Sequence, residues 1–402
     1  VYYYNSAQST DTAYTRKMRK LQEQQRALSR EMADLNREQA RKNGQTAREQ
    51  VSKLRQLNRL SDSSFSRSFN RSFTRSFNFN FDSDVNLDKK VQSGEVKEKS
   101  KTYTKSYPAD GNDKLQIDNR YGKITVNTWN KNEFKVDVQI KSYANNDDDA
   151  QKLLDQTSIT DGKDNNLVNF TTVINTGSNN NFWGTMTTNG KTTVRKTIVT
   201  YTVYMPIKSA VSITNRYGAI DLPTLEGKVT INNTYGGLVA KSLTNNDNVI
   251  NVRYGNANIG NLTGSDISVS YGSLNLLTAD KLNAVINYGP AKIGKLTTGG
   301  TINVHYGDGL EINDVGKNVK ALTVNTNYAP IKLGSLTNAD FDVTVHYADF
   351  IYDNGSTSVT NKTPEDEKHR RVSTKNYKGH VGKGSADKVI TVKSNYGTVK
   401  FD

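Results

Sequence analysis

The side chains that could carry acid, base, nucleophilic or metal chemistry are few and widely spaced. The chain has 402 residues, no cysteine and four histidines, His305, His346, His369 and His380. Without a thiol there is no disulfide scaffold, no zinc–thiolate centre and no cysteine nucleophile. His305 and His346 each stand directly before a repeated tyrosine, two repeats apart. At the β-strand spacing that is about 9–10 Å, too far for one metal ion whose ligands lie near 2 Å. They read as solvated surface residues, and His369 and His380 fall in a long loop. An enzyme that cuts polysaccharide on a repeated β scaffold needs paired carboxylates on one outer face. The residues before the successive tyrosines are Arg216, Thr234, Arg253, Ser270, Asn287, His305, Asn327 and His346, and none is acidic. No phosphate loop, nucleotide fingerprint or nucleophile elbow is present. The expectation is a non-enzyme with no cofactor and no metal, whose polar row suits weak binding of an anionic glycan.

That row belongs to a repeat. Tyrosine recurs at 217, 235, 254, 271, 288, 306, 328, 347, 377 and 396, mostly 17–19 residues apart and mostly followed by Gly or Ala. Apolar residues keep the parity of each tyrosine, as Ile250 and Val252 do before Tyr254, and a second short apolar run follows the glycine. Each unit is strand, corner, strand. A period near 18 with two strands per unit predicts a β-solenoid, in which each coil covers the apolar face of the last. The tyrosine rings should share the core parity and stack, with their hydroxyls emerging at a corner where Gly or Ala takes the bend. The spacing of 30 before Tyr377 predicts a loop over 353–384 thrown out of the coil wall.

Before the repeat, residues 101–209 predict a β-rich lead-in domain with one short helix. Tyr121-Gly122 separates two strands, and Asn145, Asn146 and Asp147 precede AQKLLDQ as a helix cap rather than a calcium site. Leu167–Asn175 and Thr192–Met205 predict a hairpin with a long polar tip. That tip exposes Phe182 and Trp183 as a candidate surface contact.

Residues 1–62 predict one long amphipathic helix. Tyr14, Met18, Leu21, Leu28, Met32 and Leu35 form a short heptad seam, suited either to the chain's own domain or to another subunit. Residues 63–100 predict an extended arm and linker. Phe65, Arg67, Phe69, Arg71, Phe73, Arg75, Phe77, Phe79 and Phe81 occupy alternate positions, with only small polar residues and a final Asp82 between and after them. In a strand this gives one Phe/Arg face, an aggregation hazard unless it is covered. The arm either folds along its own subunit or adds to a neighbour's sheet. The second is favoured from the sequence, and would yield a homo-oligomer or an open filament by strand donation.

Hydrophobic residues make up 34% of the chain, which argues for a thin fold rather than a thick globule. The net charge is +14, of which +8 lies in residues 1–90. No nucleic-acid reader motif accompanies it, so nucleic acid is not an expected partner. No run of 18 apolar residues is present to span a membrane as a helix. The chain starts VYYYN, as it would after loss of a leader or a trimmed start.

Val203–Leu262, with SITNRYGAIDLPTLEGKVTINNTYGG at its heart, resembles the toast-rack-like β-solenoid adhesin family common in Bacteroidota. The lead-in Ile117–Ser142, with NRYGKITVNTWNKNEFKVDVQIKS, is similar to that family's opening unit. The resemblance covers about residues 100–402. It implies a secreted, cell-surface or periplasmic protein with a glycan or cell-surface target, and no defined catalytic residues. The fold expected overall is mainly β: a solenoid over 210–402, the lead-in domain, and an N-terminal helix and strand arm.

Overall fold

A computed structural model describes residues 85–175, 184–188, 191–334, 336–365 and 373–402. All described residues belong to one compact unit. The heptad seam, the Phe/Arg arm and the Phe182-Trp183 tip lie outside the described residues.

The described chain is mainly β and builds two fourteen-stranded sheets, here A and B. From residue 210 it crosses between them at each unit. Ala210–Arg216 lies in sheet B and Ile220–Leu225 in sheet A, and the alternation continues to Ala321–Asn327 and Ile331–Leu333. Each strand pairs in parallel with its equivalent one unit away and in unbroken register. Identical apolar positions therefore form columns. Ile213, Ile231, Ile250 and Ile267 line up in sheet B, and Leu222, Ala240, Ile259 and Leu276 face them from sheet A, all at most 2% exposed. Period-2 alternation puts these side chains between the sheets, where each fully buried aliphatic contributes roughly 1.5–3 kcal/mol.

The lead-in joins the same two sheets. Lys114–Arg120 pairs with Ala210–Arg216 in sheet B, and Ile124–Trp129 pairs with Ile220–Leu225 in sheet A. Tyr121-Gly122 is thus a further corner, with the insertion 130–209 separating it in sequence from the next. Within that insertion the expected hairpin is not made. Leu167–Ile174 pairs in sheet B with Lys114–Arg120 and Thr157–Asp164, whereas Lys191–Pro206 pairs in sheet A with Glu133–Ala144 and Gly184–Thr188. The reason is burial: Val168 and Phe170 from sheet B and Val199, Tyr201 and Val203 from sheet A fill one core between the sheets, with the Thr172 hydroxyl 2.8 Å from that of Tyr201 across it. Helix α1 (Val85–Gln92) occupies part of the stretch read as arm and linker. Helix α2 (Asp147–Asp155) forms where the cap signal placed it, with the Asn146 side chain accepting from the Asp149 amide at 2.8 Å.

Antiparallel strands bound both sheets at the first end and sheet B at the second, where sheet A ends in the short parallel strand Phe350–Ile351. At the first, Lys97–Pro108 is the edge of sheet A and Thr157–Asp164 the edge of sheet B. Tyr103 and Tyr107 from one edge donate to Asp161 on the other. The hydrogen bond to Asp161 pushes the Tyr107 phenol up to about 12, and burial together with Asp161 raises Tyr103 further. Both hydroxyls remain protonated donors at ordinary pH.

The other end departs from the sequence order. The C-terminal strand Lys388–Asn395 lies between Ala321–Asn327 and Ala339–His346, and Val399–Phe401 lies between Ile331–Leu333 and Phe350–Ile351. Residues 353–384 are not simply a loop. Thr357–Thr363 and Thr374–Val381 form an antiparallel hairpin, and the second strand pairs with Ala339–His346. Phe341, Phe350, Phe401 and Tyr377 close the core there, with edge-on ring centroids 4.8–5.7 Å apart. No helix of the described residues is long and apolar enough to cross a membrane.

The inserted C-terminal strands should be indispensable. Deleting residues 386–402 removes the buried Ile390, Val392, Val399 and Phe401, roughly 6–12 kcal/mol of apolar burial, comparable with the stability of a whole domain. Urea unfolding followed by circular dichroism should show loss of the cooperative transition. A terminal strand that merely trimmed the stack would leave the midpoint almost unchanged.

A tyrosine ladder as the candidate functional site

Each crossing from sheet B to sheet A is made at a tyrosine. Tyr121, Tyr217, Tyr235, Tyr254, Tyr271, Tyr288, Tyr306, Tyr328, Tyr347 and Tyr396 all have φ between 48° and 64°. Bulky residues rarely take this left-handed conformation, which costs an L-residue roughly 1–2 kcal/mol. It has a geometric result. The residues before the corner alternate in and out, so an extended tyrosine would point into the core, but the left-handed turn throws the ring outward. The expectation of a core ring is therefore corrected: from Tyr235 onward the ladder tyrosines are 44–60% exposed.

The glycine after each tyrosine has a different task. Strand pairing continues through the corner, because each ladder tyrosine amide except that of the last rung, Tyr347, donates to the carbonyl before the next tyrosine: Tyr254 to Ser270 and Tyr271 to Asn287, both at 2.9 Å. Successive corners are held at strand spacing, and a Cβ on Gly272 would lie 1.9 Å from the Gly255 carbonyl oxygen. The tyrosine takes the positive φ and the glycine the close approach, the reverse of the expected division. At the first corners a buried asparagine satisfies the turn. Asn215 donates to the Gly122 carbonyl at 3.1 Å, and Asn233 to the Gly237 carbonyl at 3.0 Å.

The rings stack in the order 121, 217, 235, 254, 271, 288, 306, 328, 396, 347. Centroids are 4.6–5.3 Å apart and planes within 15° of parallel. Each face is covered by the next ring, leaving edges and hydroxyls outward. An aromatic edge is the positive part of the ring quadrupole. With about 150–250 Å² per aromatic side chain, eight half-exposed tyrosines present on the order of 800 Å² in one continuous ridge.

Beside the ridge runs the row identified from sequence. Arg120, Arg216 and Thr234 are direct neighbours across the strands, followed by Arg253. His305 and His346 are separated by Asn327 and Asn395, three strand steps or about 14 Å, because the C-terminal strand lies between them. His346 Nδ1 is 2.6 Å from Thr374 Oγ1 and its ring packs on Tyr347. His380 pairs instead with Asp340 at 2.9 Å. Among the described residues, no group of three or more His, Asp or Glu side chains could hold a metal ion.

Two ladder assignments change. Tyr377 is 7% exposed in the closing hairpin and is no ladder member. Tyr121, read only as a corner, is its first rung. The signal was present, since Asn119-Arg120-Tyr121-Gly122 repeats as Asn215-Arg216-Tyr217-Gly218.

No protein-family model and no curated protein matches the chain. Among solved structures it is similar, over 75% of its length, to three named for adhesion. A "putative cell adhesion protein" from Clostridium sporogenes is 10% identical, with 99% of that chain covered and a TM-score of 0.18. A "putative adhesin" from Parabacteroides distasonis is 10% identical, with 97% covered and a TM-score of 0.33. Another from Bacteroides fragilis is 13% identical, with 97% covered and a TM-score of 0.28.

The corner geometry separates two kinds of glycine. Gly272→Ala should destabilise the protein by about 3 kcal/mol or more, because backbone must move to clear the new methyl. Gly237→Ala places its Cβ 3.5 Å from the nearest atom, the Asn256 carbonyl oxygen, and should be neutral or stabilise by about 0.4–1 kcal/mol. Paired urea titrations of the two variants measure the difference.

Proposed function

We propose that this chain is an adhesin-like β-solenoid of the cell surface, extracellular space or periplasm, and that its tyrosine ladder is the contact surface. The repeated crossing between two sheets, one strand in each per coil of about 18 residues, supports the solenoid reading. The ladder carries the functional reading. A left-handed corner is taken without strain by glycine and easily by asparagine, so stability does not call for tyrosine. One stacked pair returns about 0.5–1.5 kcal/mol, no more than the corner itself costs. What the eight half-exposed tyrosines add is a ridge larger than the few hundred Å² of apolar surface a soluble monomer usually leaves open. It is similar in area to one partner's share of a standard interface.

The ring faces are covered by their neighbours, so sugar-face stacking is restricted to the ladder's ends. Recognition along the ridge works through hydroxyls and ring edges spaced 4.6–5.3 Å apart, with Arg120, Arg216 and Arg253 drawing acidic groups to one end. An elongated anionic glycan or a cell-surface polymer fits that description. The acid-free row beside the ridge supports binding rather than hydrolysis.

Replacing Tyr254, Tyr271 and Tyr288 together by asparagine tests the assignment. Three strained corners are relieved while four stacked pairs are lost, so stability should change by no more than about 2 kcal/mol. Binding to a panel of uronic-acid, sulfated and neutral glycans and to whole bacterial cells should fall at least tenfold. If the folded triple variant retains the wild-type binding pattern, the ladder is not the contact surface.

A further inference from the structure

The outer face of sheet A carries a second feature. Thr125, Asp221, Val239, Asn258, Asn275, Lys292, Glu311 and Lys332 form one row across the strands, all directed away from the core. Farther along, the row is open to water, with the Lys292 and Lys332 side chains 52% and 47% exposed. Asp221, Val239 and Asn258 are only 5%, 4% and 7% exposed. In-plane neighbours alone do not bury outward side chains, as Lys292 shows. Lys123 Nζ lies 2.5 Å from Asp221 Oδ2, but the buried Oδ1 has no hydrogen-bond partner. Burial holds this carboxyl above its usual range, and a buried oxygen without a partner is destabilising until a donor arrives.

The chain enters the described structure on this same face. Leu87 and Val91 of α1 pack with Val96 on Tyr143, Val194 and Ile198. Those sheet residues alternate with Ile140, Val199 and Tyr201 of the main core, so they lie on the outer side of sheet A. The strand Lys191–Pro206, which carries Val194 and Ile198, is separated from Ile220–Leu225 only by Ile124–Trp129, a distance of about 10 Å. The residues that lead into α1 are the Phe/Arg arm, and twenty extended residues reach about 65 Å. Its chemistry complements the row: guanidinium groups for a buried carboxylate, phenyl rings for a buried valine.

We propose that the arm, residues 65–81, docks on the outer face of sheet A of its own subunit, where an arginine donates to Asp221 and phenylalanines cover Val239. Donation to a neighbouring molecule, favoured from sequence, loses its motive. The parallel stack already carries its own terminal strands, Lys97–Pro108 and Thr157–Asp164 at one end and, at the other, the hairpin on sheet B and the two-residue Phe350–Ile351 on sheet A, too short to template an arm. The docked arm also hides the alternating Phe/Arg face.

The absence of native cysteine makes the test clean. In the full-length chain, Val239→Cys is combined in turn with Phe69→Cys, Phe73→Cys and Phe77→Cys, then oxidised at several protein concentrations. An intrachain disulfide in at least one pair, independent of concentration and located by peptide mass spectrometry, is the expected result. In single variants, a maleimide should label Val239→Cys at least tenfold more slowly than Lys292→Cys. Adding Phe69→Ala, Phe73→Ala and Phe77→Ala should remove that protection. Interchain disulfides that grow with concentration would assign the arm to a neighbour and overturn the proposal. So would the absence of any cross-link together with labelling of Val239→Cys that the arm substitutions leave unchanged.

Discussion

Strand pairing that does not stop at the sheet edge is the constraint on which the rest depends. Each ladder tyrosine amide except that of Tyr347 reaches the carbonyl of the next unit at 2.8–2.9 Å, so the corner backbone repeats at the same interval as the strands. Two consequences follow from that interval. Carbonyl oxygens of successive corners leave no room for a Cβ, which sets the glycine. Side chains thrown outward by the left-handed turn lie close enough for flat rings to stack, which makes tyrosines 17–22 residues apart in most of the sequence into a single surface.

A stack of like units contains no signal to end, and here the ends are made from unlike pieces. Antiparallel strands interrupt the parallel register of both sheets at the first end and of sheet B at the second. At the first end, two tyrosine hydroxyls and Asp161 tie the sheets together, and the edge strand carries Lys97, Lys99, Lys101 and Lys105, which discourage pairing with another chain. At the second end, an aromatic cluster fills the core opening and the chain terminus is drawn inward instead of being left as the last unit.

The corner ridge and the outer face of sheet A are chemically distinct. The corner ridge is aromatic, with a cationic end and no acid in the flanking row. The outer face of sheet A is charged and paired along much of its length, with Lys295 2.8 Å from Asp314 and Lys332 3.0 Å from Asp402. Exposed pairs of this kind are worth at most about 1 kcal/mol each and mark an ordinary solvated surface. Asp221 stands apart on that face because it is buried and only half satisfied. The proposed external contact and the proposed docking of the preceding segment thus use chemically different faces.

The repeat, its period, the two strands per unit and the helix cap at Asn146 were all legible in the residues, because each is a local pattern of spacing and type. So was the want of paired acids along the tyrosine row. Ring direction was not legible: parity predicts an inward tyrosine, and only the left-handed φ, imposed by the crossing between sheets, turns it out. Tyr377 has the right residue type near the right interval, yet its strand pairs antiparallel and takes it out of the ladder. The sequence by itself determined that a stack would form and that tyrosines would mark its corners, since alternation and period are properties of neighbouring residues. Tertiary structure alone decided the order of the last units, the partners of Leu167–Ile174 and the shielding of Asp221. Those depend on which of several equally apolar strands meet across the core, a choice made by the whole fold at once.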